Sequence, residues 1–245
     1  VDALIAHCVE IERCNQRGGR MLSVVDLMEA RTLAPELAVY LLAAIGRGAS
    51  FLVGAVPGGA GKTTVMGALL NFTAPARALA AVPDLESIGR FRQSTLSHCL
   101  IAHEIGPGHH YAYLWGAALR SYFKLAALGH QLAANLHADT LEDARGQICG
   151  QNGVSEEAFR KMNLLLFLQV AGGWPTRRRI VSVWESDGSD PHREIYGEDL
   201  FNARNGRLAD AAACARADRM LRQVRRANIR TIEEVRECLV KHWDL

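Results

Sequence analysis

No stretch of the 245-residue chain approaches the ~18 consecutive apolar residues of a membrane-spanning helix, and no signal-peptide pattern opens it. Its six cysteines (Cys8, Cys14, Cys99, Cys149, Cys214 and Cys238) form no CxxC pair. That argues against a zinc ribbon, and against a disulfide framework in a chain this long, and points to a reducing cytoplasm. Charge is nearly balanced at +2, too little to drive nucleic-acid binding, so no nucleic-acid partner is expected. The basic residues gather late, in Arg177-Arg178-Arg179 and between Arg216 and Arg230, where solvated faces or subunit contacts account for them. Internal repeats and low-complexity tracts are absent. What is left, 49% hydrophobic against 22% charged residues, is globular in composition and long enough for one α/β domain with a helical appendage. The chain opens at Val1 rather than Met, which leaves room for sequence upstream.

The densest pattern is FLVGAVPGGAGKTTVMGALL, from Phe51 to Leu70. A short apolar strand breaks into a glycine-rich loop, and Gly61-Lys62-Thr63-Thr64 opens a helix expected over 63–70. A phosphate-binding loop needs these parts in this order: small residues so that main-chain amides can turn inward, a lysine for the β and γ phosphates, a hydroxyl for Mg²⁺, and a helix whose positive end faces the anion. Gly58, Gly59, Ala60, Gly61, Lys62, Thr63 and Thr64 are therefore the expected nucleotide contacts, with ATP and Mg²⁺ as cofactors. Val56 stands where the strict GxxxxGK[ST] pattern has its first glycine. The plainer alternative is a glycine-rich turn that binds nothing.

Three further apolar runs each deliver polar residues at their carboxyl ends. They are Ala78–Val82 before Pro83-Asp84-Leu85-Glu86, Leu100-Ile101-Ala102 before His103-Glu104, and Leu132-Ala133-Ala134 before Asn135-Leu136-His137. Open parallel sheets bind ligands there. With the periodic segment 113–128 as a crossover helix, the expected class is α/β with a mainly parallel sheet and flanking helices. Ahead of the loop, Leu4, Ile5, Cys8, Val9 and Ile11 suggest one amphipathic helix, Val24–Ala30 a second, and Pro35 to Gly46 a third. Strands are expected over 164–170, 180–184 and 194–196. Charged helices follow from Leu208, the last opened by the capping box Thr231/Glu234. The division this suggests is a helical lead over 1–34, a core over 35–200 and a C-terminal helical segment over 201–245.

This order of features resembles the hexameric type II/IV secretion and pilus-assembly ATPases, especially their archaeal, GspE-like branch. The helix from Leu33 to Leu41 and the lead-in Gly46-Arg47-Gly48-Ala49-Ser50 look like the approach to that family's Walker A loop. Val82 to Glu86 resembles its Asp box, Ile101-Ala102-His103-Glu104 its atypical Walker B, and Gly129 to Thr140 its His box. Arg177 to Glu185 looks like the following strand, and Asn228 to Val235 like the archaeal terminal helices. The match runs from about Leu22 to the end. It implies a RecA-like P-loop NTPase fold, the C-terminal ATPase domain without the family's N-terminal domain, and ATP turnover coupled to conformational change in a homo-oligomeric ring. It also implies a hexamer working with a membrane platform of secretion or pilus machinery at the cytoplasmic face.

The resemblance assigns Glu104, at a strand end, to orienting or deprotonating water, with Glu86 second. Asp84 would complete the outer shell of the Mg²⁺ held by Thr63, and His137 would sense the γ-phosphate. Each has a blander reading, as a surface acid or a satisfied core histidine. Arg90 and Arg92 could reach a neighbouring subunit, or could be solvated loop charges. Several departures favour binding over fast turnover. Pro83 replaces an acid of the Asp box, only 19 residues separate Asp84 from Glu104, and Ile105-Gly106-Pro107-Gly108 stands where an arginine is usual. A divergent nucleotide-binding or scaffolding module is thus the alternative, and a small-molecule kinase a third. The cluster His98, Cys99, His103, Glu104, His109 and His110 lacks HExxH spacing and makes a weak case for a structural metal.

Overall fold

The computed structural model describes residues 2–15, 18–56, 58–172, 177–197, 206–227 and 229–245. The boundary expected at 200/201, residues 201–205 of the C-terminal segment and Asn228 of the terminal motif lie outside them.

An eight-stranded sheet in the order β2-β3-β5-β1-β6-β7-β8 organises the chain. Its strands are β1 (Phe51–Gly54), β2 (Ala78–Ala81), β3 (His98–Ile105), β4 (Tyr113–Leu114), β5 (Gln131–Leu136), β6 (Leu164–Ala171), β7 (Arg177–Glu185) and β8 (Arg193–Tyr196). β1 to β6 pair in parallel, with the short β4 lying against the end of β3, while β7 and β8 append as antiparallel strands. All four β1 residues are buried, as a run of Phe, Leu and Val in a parallel strand covered on both faces requires. Strand β5 lies between β1 and β3. This is an α/β fold with a mainly parallel sheet and flanking helices, the class expected, with the glycine loop after β1.

The helices are α1 (Ala3–Arg13), α2 (Val24–Glu29), α3 (Pro35–Gly46), α4 (Lys62–Leu70), α5 (Leu85–Arg92), α6 (Gly116–Lys124), α7 (Leu141–Arg145), α8 (Glu156–Arg160), α9 (Ala211–Arg226) and α10 (Ile232–Lys241). Alternation along the strands divides them between two faces. Phe51 and Val53 of β1 point into a core with α1 to α4, α9 and α10. Leu52 points into a second core with Ile88 of α5, Leu119, Tyr122 and Phe123 of α6, and Phe159 of α8.

One expected face is wrong. Ile5 and Val9 stand outward at 55% and 43% exposure, because the stripe that meets the core is His7, Cys8, Ile11 and Cys14. The buried imidazole of His7 displaced the apolar pair from the face the spacing suggested, and burial pushes its pKa down to about 3. The element is helical as expected, and the capping boxes at Ser23 and Thr231 are formed. Arg236 of α10 is buried and donates to the carbonyls of Asn71 (3.0 Å) and Thr73 (2.6 Å), just past the end of α4. No helix of the described residues is long and apolar enough to cross a membrane.

Candidate active site

The loop after β1 is held from below. A Cβ at Gly54 would lie 2.6 Å from the Ala138 carbonyl oxygen and 2.7 Å from Phe167 Cδ1, so β1 can close on β5 and β6 there only with glycine. The Val56 amide donates to Asp139 Oδ1 at 2.6 Å. Among the described non-glycine residues only Arg31 and Ala112 have positive φ. Val56 therefore needs no glycine, and its side chain points out at 49% exposure. The replaced loop glycine leaves the backbone intact.

Gly59 and Gly61 do adopt left-handed φ, +89° and +99°, a region that L side chains enter at a cost of about 1 kcal/mol or more. Gly61 is the N-cap of α4 and has no side chain to offer its amides. Asp2, Ser23, Asp84, Thr140, Ser155, Asp210 and Thr231 each cap a helix with a side-chain oxygen, whereas Ala34 of α3 and Trp115 of α6, like Gly61, do not. The first turn of α4 lies at the positive end of its dipole, the end that suits an anion.

Lys62 is buried at 7% exposure. Its ammonium lies 3.5 Å from Glu104 Oε2 and 3.3 and 3.2 Å from Nδ1 and Nε2 of His137, whose Nε2 is 3.9 Å from the same carboxylate oxygen. The first residue of α4, the penultimate residue of β3 and the residue just after β5 thus converge on one point. Burial pushes the Glu104 pKa up from 4.5 to about 7 despite the opposing charge of Lys62. His137 is shifted downward, by burial and then by the same ammonium, which favours a neutral ring that can accept from Lys62.

Glu104 reaches this point by a route the sequence did not indicate. It lies within β3, which runs to Ile105, rather than at a strand end. In an unbroken strand it would share the face of Leu100 and Ala102, away from α4. A bulge intervenes. Ala102 pairs with Ala134 and Ile105 with Leu136, so β3 carries one residue more than β5 over this stretch. The phase slips, Ile105 takes the far face, and Glu104 turns toward Lys62. Neighbouring Asn135 secures the bulge by donating to the His103 carbonyl at 2.9 Å. The imidazole of His103 is pushed down to about 4 by burial.

The other expected residues fall elsewhere. Asp84 and Glu86 follow β2, three strands from β1, about 14 Å away at the usual spacing. Asp84 caps α5 in a box with Ser87 (Ser87 amide to Asp84 Oδ1, 2.8 Å), and those hydrogen bonds hold its carboxyl below the usual range. Glu86 is exposed in the first turn of the same helix. Neither joins the Lys62 cluster, because the segment before Glu104 forms an ordinary capped helix that keeps both acids at the β2 edge. Arg90 and Arg92 lie in the last turn of α5.

The residues present fit a polyphosphate with its cation. Lys62 and the α4 amides offer positive charge, Thr63 stands half-buried in the first turn of α4, and Glu104 Oε1 is buried without a hydrogen-bond partner, a place for a water. They do not fit Asp84 in the outer shell of that cation. Among the described residues no three His, Cys, Asp or Glu side chains are grouped to hold a metal by themselves. Sequence reasoning missed three participants: Asp139, which anchors Val56; Gln147, which donates to the His137 carbonyl at 2.7 Å; and Arg178, which donates to the Gly59 carbonyl at 3.4 Å. Asp139 sits two residues after His137, the one local signal available.

No family model matches the chain, and no curated protein does. Among solved structures it is similar to the VirB11 ATPase of the Brucella suis type IV secretion system, in complex with sulphate. Identity is 20% over 66% of this chain and 54% of that one, with a TM-score of 0.46. It is also similar to the Legionella pneumophila ATPase DotB, at 11% identity over 81% of this chain and 54% of that one, with a TM-score of 0.42. The chain spans about half the length of each.

Proposed function

We propose that this chain binds Mg·ATP at the loop from Gly58 to Thr64 and hydrolyses it. The observation that carries the reading is the meeting of Lys62 from the start of α4, Glu104 from within β3 and His137 from just after β5, at the mouth of a glycine loop with no side-chain cap. Mg²⁺, held through Thr63, would neutralise phosphate charge. Lys62 adds a fixed ammonium, and the α4 amides orient the anion. Glu104, poised near neutrality, is suited to take a proton from a water lodged at its unpartnered Oε1. His137 faces the same ammonium and can register whether Lys62 is engaged by carboxylate or by phosphate.

The same residues belong to three of the motifs whose order resembles the secretion ATPases. We therefore extend the proposal to a ring-forming motor, homo-oligomeric and attached to a membrane platform of secretion or pilus machinery at the cytoplasmic face. In that setting the residues 35–200 act as the nucleotide core between helical segments.

A second reading, a nucleotide-binding module with little turnover, is favoured by the position of Asp84 and Glu86 at the β2 edge. Phosphate release by the wild type and Glu104→Gln separates the two. A fall of about 10²-fold or more with unchanged ATP affinity is expected for a general base; equal rates would remove Glu104 from the chemistry.

A further inference from the structure

The arginine run Arg177-Arg178-Arg179 looks like solvated charge, yet the register gives its members different surroundings. β7 runs antiparallel to β6 with Arg178 opposite Val170, and β6 runs parallel to β1 with Phe167 opposite Gly54. Arg178 therefore stands three residues, roughly 10 Å, beyond the end of β1, at the height of the glycine loop. Two residues further along β7, Ile180 is buried in the core that α4 closes. By the period of two, Arg178 shares that face, and Arg177 and Arg179 take the other.

Its stem runs over Gly61, where a Cβ would sit 3.1 Å from Arg178 Cδ, and Nη2 donates to the Gly59 carbonyl at 3.4 Å. Glycine at 61 thus answers two demands, a left-handed φ and room for this side chain. No carboxylate of the described residues pairs with the guanidinium, and its only hydrogen bond there is the one to Gly59. A cation with spare donors and no countercharge beside a phosphate loop is matched chemically to phosphate oxygens.

We propose that Arg178 is a second phosphate-contacting cation, supplied from β7 of the same chain, that engages the terminal phosphates of a nucleoside triphosphate together with Lys62. This inference rests on the assignment of the loop as a nucleotide site. Calorimetric titration of the full chain with inorganic pyrophosphate and with ATP tests it, for wild type, Arg178→Ala and Lys62→Ala at several salt concentrations. We expect Arg178→Ala to melt as the wild type does, to bind both ligands about ten- to a hundredfold more weakly, and to show a shallower dependence of affinity on salt. Wild-type affinity in Arg178→Ala with binding lost in Lys62→Ala would overturn the role of Arg178 and leave the loop assignment standing. Weaker binding with an unchanged salt dependence would also overturn it, by reducing Arg178 to a support for the loop. Wild-type binding in Lys62→Ala would overturn the loop assignment itself.

Discussion

At the scale of single residues, the site depends on the placement of one carboxylate. Glu104 is raised to about 7 by burial, so at neutral pH it is divided between its two protonation states. The native state holds its proton up to about pH 7, whereas the unfolded chain releases it near the ordinary 4.5. The stability this contributes is full below pH 4.5 and is lost as pH rises through 7. In urea unfolding of the free protein, the wild type should lose about 2.5 kcal/mol relative to Glu104→Gln between pH 5 and 8. Parallel pH profiles of the two proteins would contradict the burial of this carboxylate. If Glu104 takes a proton from water, kcat/KM should also fall below about pH 7 with a single titrating limb, as the free enzyme's base is protonated.

Secondary-structure elements were legible in the sequence to different degrees, for physical reasons. The strand, loop and helix around Lys62 could be read directly, because a Gly-Lys-Thr run after a buried apolar strand has few other uses. β3 and β5 were visible as short apolar runs, and so was the position of His137. The bulge that turns Glu104 toward Lys62 leaves no mark in residue type, since it arises from the register of β3 against β5. Arg178 was hidden for the same reason: in a run of three arginines only the pairing of β7 tells them apart. The α1 stripe was misread because a histidine, polar by type, takes a core position there.

Element ends carry a further prediction. Arg236 of α10 is a buried cation, brought down to about 10 by that burial, whose hydrogen bonds end on the carbonyls of Asn71 and Thr73 past the C-terminus of α4. Positive charge there complements the helix dipole, and the carbonyls have no water to turn to. Arg236→Met keeps most of the volume and removes the donors. It should destabilise the fold by about 2–4 kcal/mol in chemical denaturation and loosen the far end of the loop helix. A change under 0.5 kcal/mol would show that α10 is not needed to hold α4.

For the whole molecule, one face of the sheet shares its core with α1 to α4, α9 and α10, so a shift of α4 meets α1, α2 and α3 directly and reaches α10 through Arg236 just past its end. That is the mechanical requirement of a subunit that transmits nucleotide state to its neighbours. A ring motor should show a rise in mass to a defined oligomer on adding Mg·ATP in native mass measurement; a constant monomer would favour the nucleotide-binding module. The claim beneath all of this is that the main chain around Gly59 and Gly61, with the Lys62 ammonium, receives a polyphosphate. Its most direct test is calorimetric titration of Mg·ATP into the wild type and Lys62→Ala, with circular dichroism to establish that both are folded. Saturable binding to the wild type and none to the folded variant is expected, and equal affinities would remove the loop from phosphate binding.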